Sequence, residues 1–323
     1  MRAPDFWQTN KGGLTSLALA PLGWLYGAAG ATIWAMARPW KAPVPVICIG
    51  NLVAGGAGKT PVALDLAQRL LQRGKAVHFL SRGYGGSETG PLRVDPALHT
   101  SDKVGDEPLL LVRLAPTWVA ADRVAGCRAA ANAGAEMIIM DDGFQNPAVV
   151  KDLSVIVVDG GYGFGNGRVM PAGPLREPLA TGLKRANAVV VIGGDGKVNL
   201  PHNHPPVIKA RLVATEDSQE LKGQAVVAFA GIGRPGKFFE TLRATGCDIR
   251  AAHAFADHHP YSAADLDRLR HQAENESARL VTTEKDAVRL SGKDREGIAT
   301  VAITLAWDDE TAIGGLLEKA LKL

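Results

Sequence analysis

Lys59 and Thr60, set directly behind Gly55, Gly56 and Gly58, are the residues of this chain best suited to handling phosphate. The segment IGNLVAGGAGKTP, residues 49–61, places a glycine-rich turn between a β-branched apolar run and a helical pattern. Glycines let the backbone N–H groups of Val53, Ala54, Gly55, Gly56, Ala57, Gly58, Lys59 and Thr60 turn inward around phosphate oxygens. Lys59 then reaches the terminal phosphates and the Thr60 hydroxyl is a Mg²⁺ ligand. The strict pattern G-x-x-x-x-G-K-[ST] asks for glycine where this chain has Val53, so the match rests on GKT, the extra glycines and the strand before them.

A second constellation belongs with the first. MIIM, residues 137–140, is a buried-strand run ending in Asp141 and Asp142, and a carboxylate at a strand tip holds Mg²⁺ beside a phosphate loop. Asp106 and Glu107 sit at a helix start in DKVGDEP, where carboxylates are also favoured for the helix alone. Arg82 lies in the turn SRGYGG after the second strand, at the edge where open α/β sheets bind ligands. Arg176 and Glu177, between Pro174 and Pro178, form a charged pair placed near the phosphates, with a surface ion pair as the plain alternative. Asp257, His258 and His259 precede a helix that Ser262 can cap. No further Cys, His or carboxylate cluster has spacing suited to zinc.

The elements that must position these groups are read from short β-branched runs alternating with helical patterns. Strands are expected at 44–49, 76–80, 118–121, 137–140, 153–159 and 188–192, with helices at 62–72 and 122–134. GGDGKVNLPHNHPP, residues 193–206, has the composition of a linker. Smaller-scale alternation follows, with strands near 207–213, 225–229, 248–255, 279–282 and 300–304. AGIGRPGKFF, residues 230–239, lacks GK[ST] and reads as a turn. The fold class is therefore α/β: a P-loop NTPase-type parallel sheet with helices on both faces, plus a second, smaller α/β domain. The expected divisions are 1–40, 41–195 and 196–323.

Composition narrows the partners. A formal charge of +3 and the lack of a basic run with interleaved aromatics give no support to a nucleic-acid partner. Cys48, Cys127 and Cys247 are widely separated among small or apolar residues, as expected of buried thiols in a reducing compartment. Between Lys11 and Arg38 there is no charge, and Trp7, Trp24, Tyr26, Trp34 and Trp40 crowd the first forty residues. Aromatics of this kind favour the headgroup level. Pro21 and the Ala/Gly-rich second half weigh against a full span, so an interfacial helix pair is expected.

Taken together, GNLVAGGAGKTP, SRGYG, GDEP, DDGFQ, PAGPLREP, AGIGRPGKFF, FADHH and TTEKDA, in that order after an apolar N-terminal helix, resemble the tetraacyldisaccharide 4′-kinase family over nearly the whole chain. The resemblance implies ATP-dependent phosphorylation, with Mg²⁺, of the 4′-hydroxyl of a lipid A disaccharide precursor, giving lipid IVA and ADP. It also implies attachment to the cytoplasmic face of the bacterial inner membrane, monotopic or peripheral, with no obligate protein partner. Carried over from the motifs, Asp106 is the catalytic base, His258 its partner from the second domain, and Lys59 the phosphate cation. Thr60, Asp141, Asp142 and Glu177 are the metal set, and Arg82, Arg123 and Arg176 are secondary contacts. The rival reading is a membrane-associated regulatory ATPase of the partitioning type, although Val53 and Ala54 stand where such loops carry an extra lysine. The TEKD stretch at 283–286 has the wrong spacing for a guanine-reading motif.

Overall fold

The computed structural model describes residues 4–8, 12–194 and 198–321. Residues 195–197 of the expected linker lie outside that set. Two helices open the fold, α1 (Gly13–Ala18) and α2 (Ala20–Met36). The chain continues through β1 (Val46–Gly50), α3 (Lys59–Gln72), β2 (Val77–Ser81), β3 (Leu92–Arg93), α4 (Ser101–Val104), α5 (Asp106–Leu111), β4 (Thr117–Val119), α6 (Arg123–Asn132), β5 (Met137–Asp141) and β6 (Leu153–Asp159). Then come α7 (Leu179–Leu183), β7 (Ala188–Ile192), β8 (Val207–Ala214), β9 (Ala225–Ala230), α8 (Pro235–Thr245), β10 (Asp248–Ala254) and α9 (Ala263–Asn275). The last elements are β11 (Arg279–Thr283), α10 (Glu284–Ala287), β12 (Ile298–Val301), β13 (Ile303–Trp307) and α11 (Glu310–Leu321).

Among the described residues the strands form two sheets. The larger runs β13-β8-β7-β6-β1-β5-β2-β4-β3, parallel except for β3 against β4 and β13 against β8. Strand β1 is therefore central, flanked by β5 and β6, and every residue of all three is buried. A strand covered on both faces reads as a continuous apolar run, as VICIG and MIIM do. One face is packed by α3, which presents Val62, Ala63, Leu66, Ala67 and Leu70 to a core that includes Ile49, Ile139 and Val155. The other is packed by Cys127 and Ala130 of α6 against Leu80, Ile138 and Met140.

The smaller sheet, β10-β9-β11-β12, is parallel and has apolar cores on both sides. Its boundaries differ from the expected cut at 195/196. Strand β8 pairs with β7, and β13 returns to pair with β8, so both belong to the larger sheet and the smaller body is residues 215–302. The expected strand at 300–304 is in fact two, with β12 in the small sheet and β13 in the large one. The physical reason is burial: Leu305, Trp307, Ile313 and Leu317 complete the core beneath α3, which local periodicity does not disclose.

The N-terminal helices rest on the loop 166–178. Ser16 Oγ donates to the Ala172 carbonyl at 2.6 Å, and Trp7 Nε1 donates to the Pro171 carbonyl at 3.0 Å. A Cβ at Gly23 would lie 2.8 Å from the Val169 carbonyl oxygen, so only glycine allows this approach. The opposite side is open: Leu14 is 85% exposed, Trp24 75% and Met36 77%. No helix among the described residues is long and apolar enough to cross a membrane.

Gly50 closes β1 beneath Phe144, where an added Cβ would fall 2.3 Å from the Phe144 Cβ. Overpacking of this kind costs about 1–3 kcal/mol, so Gly50→Ala is expected to lower the urea unfolding midpoint. An unchanged midpoint would show that the β1 tip and the 141–145 turn are not packed as described.

Candidate active site

The site forms where the carboxyl ends of β1, β5 and β6 open toward the smaller body. Gly58, at φ 86°, is the left-handed residue that turns the loop into α3, so the helix begins at Lys59 and aims its first amides into the cleft. The loop is braced from behind by the segment 174–177. Ala54 N–H donates to the Pro174 carbonyl and Arg176 N–H to the Leu52 carbonyl, both at 2.8 Å, and Val53 makes an antiparallel bridge with Leu175. Val53 is buried in this bridge, a role its side chain fills and glycine would not. Asn51 donates to the Gly55 carbonyl at 3.1 Å, while its own Oδ1 is buried with no hydrogen-bond partner.

Asp141 and Asp142 leave β5 in different directions because Asp142 adopts a left-handed φ of 53°. Asp142 is the paired one: Arg176 donates to both its oxygens, at 2.8 and 3.3 Å, and the Lys59 ammonium lies 3.6 Å away. Burial pushes the Asp142 carboxyl up, but Lys59 and Arg176 outweigh it and hold the group below its ordinary value. Asp141 is buried with Oδ1 unpartnered, and this desolvation, only partly offset by Lys59, raises its carboxyl to about 7. An anion left short of partners in a phosphate-binding cleft suits a cation delivered with the nucleotide. No group of three His, Cys, Asp or Glu among the described residues could hold a metal alone.

The expected metal set is only partly gathered. Glu177 is held in an ion pair: Arg185 Nη2 donates to both its oxygens at 2.8 and 2.7 Å, and Gln145 donates to Oε1 at 3.1 Å. Its oxygens are thus already paired, as those of Asp142 are with Arg176. Arg82 is exposed, whereas Arg123 is buried, its Nη1 donating to the Ala120 carbonyl and its Nε without a partner. Burial first, and then the nearby Arg82, lower the Arg123 pKa.

A second cluster, around Asp106, is assembled across the two bodies. His258 Nδ1 lies 2.7 Å from Asp106 Oδ2, and Arg289 reaches the same oxygen from Nε at 2.8 Å and Nη2 at 2.6 Å. Asp106 is 4% exposed. Burial alone would raise its carboxyl, but the hydrogen bonds from His258 and Arg289 prevail and hold it at about 2. His258 sits at a left-handed φ of 57°, with its N–H donating to the Gly231 carbonyl at 3.0 Å. His259 turns away to Asp265 at 3.2 Å, so the two histidines are told apart. Lys285 pairs with Glu107 at 2.7 Å. Arg234 and Lys237 meet the buried Asp159 at the tip of β6, and a Cβ on Gly233 would come 3.5 Å from the Gly56 nitrogen. The smaller body thus overhangs the phosphate loop itself.

The family described as LpxK, tetraacyldisaccharide-1-P 4′-kinase, matches residues 15–322. The chain belongs to that family. Tetraacyldisaccharide 4′-kinases from Rhodospirillum centenum and Gluconacetobacter diazotrophicus are 52% and 53% identical to it, over 99% and 98% of this chain and 97% and 98% of their own. The crystal structure of LpxK from Aquifex aeolicus in complex with ATP is similar at TM-score 0.76 and 26% identity, covering 95% of this chain and 100% of that one. Membership in this kinase family and the observed sheet agree with the α/β fold read from the phosphate loop.

Several residues of this kinase's cleft escaped the sequence reading. Arg289, Asp159, Arg234, Lys237 and Gln145 make contacts distant in sequence, as Arg185 does with the Trp34 ring. One signal was present for Asp159: like Asp141, it ends an apolar strand next to β1.

Replacing a buried, unpartnered carboxylate by a neutral amide relieves desolvation, because a neutral amide costs less to bury than a charge. Asp141→Asn is therefore expected to raise the thermal midpoint of the nucleotide-free protein while abolishing turnover. A lower midpoint with turnover retained would remove Asp141 from the metal-binding role.

Proposed function

We propose that the cleft between the two bodies transfers the γ-phosphoryl group of ATP to the 4′-hydroxyl of tetraacyldisaccharide 1-phosphate, with Asp106 as the base. The observation that carries the assignment of roles is the saturation of Asp106 Oδ2 by His258 and Arg289, which leaves Oδ1 unclaimed among the described residues.

Phosphoryl transfer needs charge neutralised on the phosphates, the attacking oxygen in line, and an acceptor for the hydroxyl proton. Lys59 and the amides of residues 55–60 supply the first, the Ala54 amide, expected to join them, being spent on the Pro174 carbonyl. Arg176, tied to both the loop backbone and Asp142, keeps the strand-tip carboxylate oriented toward the same place. Thr60, Asp141 and Asp142 would hold Mg²⁺; when bound, the ion neutralises charge on the β- and γ-phosphate oxygens. Asp106 accepts the proton late, as the loose transition state forms, so a carboxyl with a low pKa suffices. His258 hydrogen-bonds the carboxylate from the smaller body. Because His258 belongs to residues 215–302, the acceptor side is complete only when the two bodies are apposed.

The open sides of α1 and α2 carry Leu14, Leu17, Trp24, Leu25, Ile33 and Met36, an apolar surface supporting peripheral or monotopic attachment to the cytoplasmic face of the inner membrane. The acylated acceptor would reach the cleft from that surface. A regulatory ATPase of the partitioning type is disfavoured by family membership and by the absence of its extra loop lysine.

Labelled γ-phosphate should pass from ATP to the disaccharide lipid, with negligible hydrolysis when lipid is omitted; lipid-independent turnover would support the ATPase instead. Lys59→Ala is expected to raise KM for ATP at least tenfold, and an unchanged KM would remove Lys59 from the phosphate site. In flotation with vesicles of phosphatidylethanolamine and phosphatidylglycerol, Trp24→Asp combined with Leu25→Asp should leave the protein in the dense fraction. If that variant floats like the parent, these helices are not the anchor.

A further inference from the structure

Arg289 lies two residues beyond α10, in the smaller body, yet its side chain is 7% exposed and ends on Asp106 of the larger one. All three guanidinium nitrogens are engaged. Nε and Nη2 donate to Asp106 Oδ2, while Nη1 donates to the Gly231 carbonyl at 2.7 Å and to Asp286 Oδ1 at 2.9 Å. Asp286 is itself fully buried. Its Oδ1 accepts from Gly231 N–H at 2.9 Å and from the Tyr261 hydroxyl at 2.8 Å, and Oδ2 accepts from the Thr283 hydroxyl at 2.6 Å. The guanidinium is thus locked before it meets Asp106.

We propose that Arg289 is a positioning residue for phosphoryl transfer, fixing the Asp106 carboxylate so that Oδ1 alone faces the acceptor hydroxyl. This rests on the reading of Asp106 as the base. A carboxylate oxygen that already accepts three charge-assisted hydrogen bonds has no lone pair aimed at a fourth group, so the proton of the acceptor must go to the other oxygen. His258 alone cannot impose this. One hydrogen bond leaves the carboxylate free to rotate about χ2, whereas the Arg289 fork grips the same oxygen from a second direction. The other Lys/Arg ion pairs between the bodies among the described residues, Arg113 with Glu284, Lys285 with Glu107, and Arg234 and Lys237 with Asp159, do not touch Asp106. Of these cations only Arg289 ends on the proposed base, beside His258.

The test uses the full chain in mixed micelles with tetraacyldisaccharide 1-phosphate and compares Arg289→Ala, Arg289→Lys, Asp106→Asn and the Asp106→Asn/Arg289→Ala double variant. Misplacing a reacting group by about an ångström costs on the order of 100-fold, so Arg289→Ala should lower kcat by about 10- to 100-fold. KM for ATP should stay within about twofold, because the nucleotide contacts are untouched. Arg289→Lys should recover only part of kcat, since a lysine retains the charge but loses the fork. Guanidinium chloride, far below denaturing concentration, should restore activity to Arg289→Ala. In the Asp106→Asn background the Arg289→Ala change should cost nothing further and guanidinium should rescue nothing.

The proposal is overturned if Arg289→Ala keeps parental kcat, if its defect lies in KM for ATP, or if the loss multiplies fully in the Asp106→Asn background. Should Arg289→Ala fail to fold, Arg289→Lys decides: parental kcat in that variant overturns the proposal, and reduced kcat with parental KM supports it. An active Asp106→Asn enzyme would instead overturn the assignment of the base. A slow Asp106→Asn enzyme beside a harmless Arg289→Ala would overturn only the role of Arg289.

Discussion

Like that of Asp159, the buried carboxylate of Asp106 meets charged partners from the other body. Its own body provides burial and no counter-charge on Oδ2; the compensation arrives from residues 215–302 as His258 and Arg289. A buried anion without partners is strongly disfavoured, so the apposed arrangement is the one in which Asp106 is tolerated as a charged group. The same contact gives chemistry its division of labour. In the proposed division, the larger sheet serves the nucleotide through the loop after β1 and the strand-tip aspartates, and the insertion between β8 and β13 completes the acceptor side.

A second physical connection runs from the exposed apolar helices α1 and α2 to the phosphate loop. The strip 166–178 accepts hydrogen bonds from Trp7 and Ser16 on one side and from Ala54 on the other, while Arg176 from the same strip holds Asp142. Asn166 strengthens the first side, donating to the Phe6 carbonyl at 2.8 Å and to Ser16 Oγ at 3.1 Å. Beyond the strip, Arg185 stacks over the Trp34 ring at 4.2 Å and pairs with Glu177. The exposed apolar helices and the phosphate loop thus share one support. The acceptor end of an acylated sugar and the phosphates can be registered against each other without a long flexible linker.

How much of this was legible depended on sequence distance. The glycine-rich loop, the aspartates after MIIM and the Ser262 cap are local signals; the structure places the first between β1 and α3, the second at the end of β5, and the last as a full capping box with Asp265. The start of α3 at Lys59 instead of Val62 followed from Gly58 at positive φ, which no hydrophobic period reports. The 195/196 division failed because β8 and β13 find their partners about ninety residues apart in the chain, and a pairing of that kind leaves no composition shift. Glu177 was drawn toward the phosphates by its neighbour Arg176, yet Arg185, eight residues on, claims it. Arg289 stood just past TTEKDA as an ordinary arginine, and only the approach of the two bodies gives it a partner 183 positions away.

The central claim is that Asp106 serves the acceptor and not the nucleotide. It is tested most directly by measuring single-turnover transfer and equilibrium ATP binding on the same Asp106→Asn preparation. The account predicts a transfer rate lower by about 10²–10⁴-fold, the usual worth of general-base catalysis, with ATP affinity within about twofold of the parent. Transfer at the parental rate, or a loss of ATP affinity as large as the loss of rate, would contradict it.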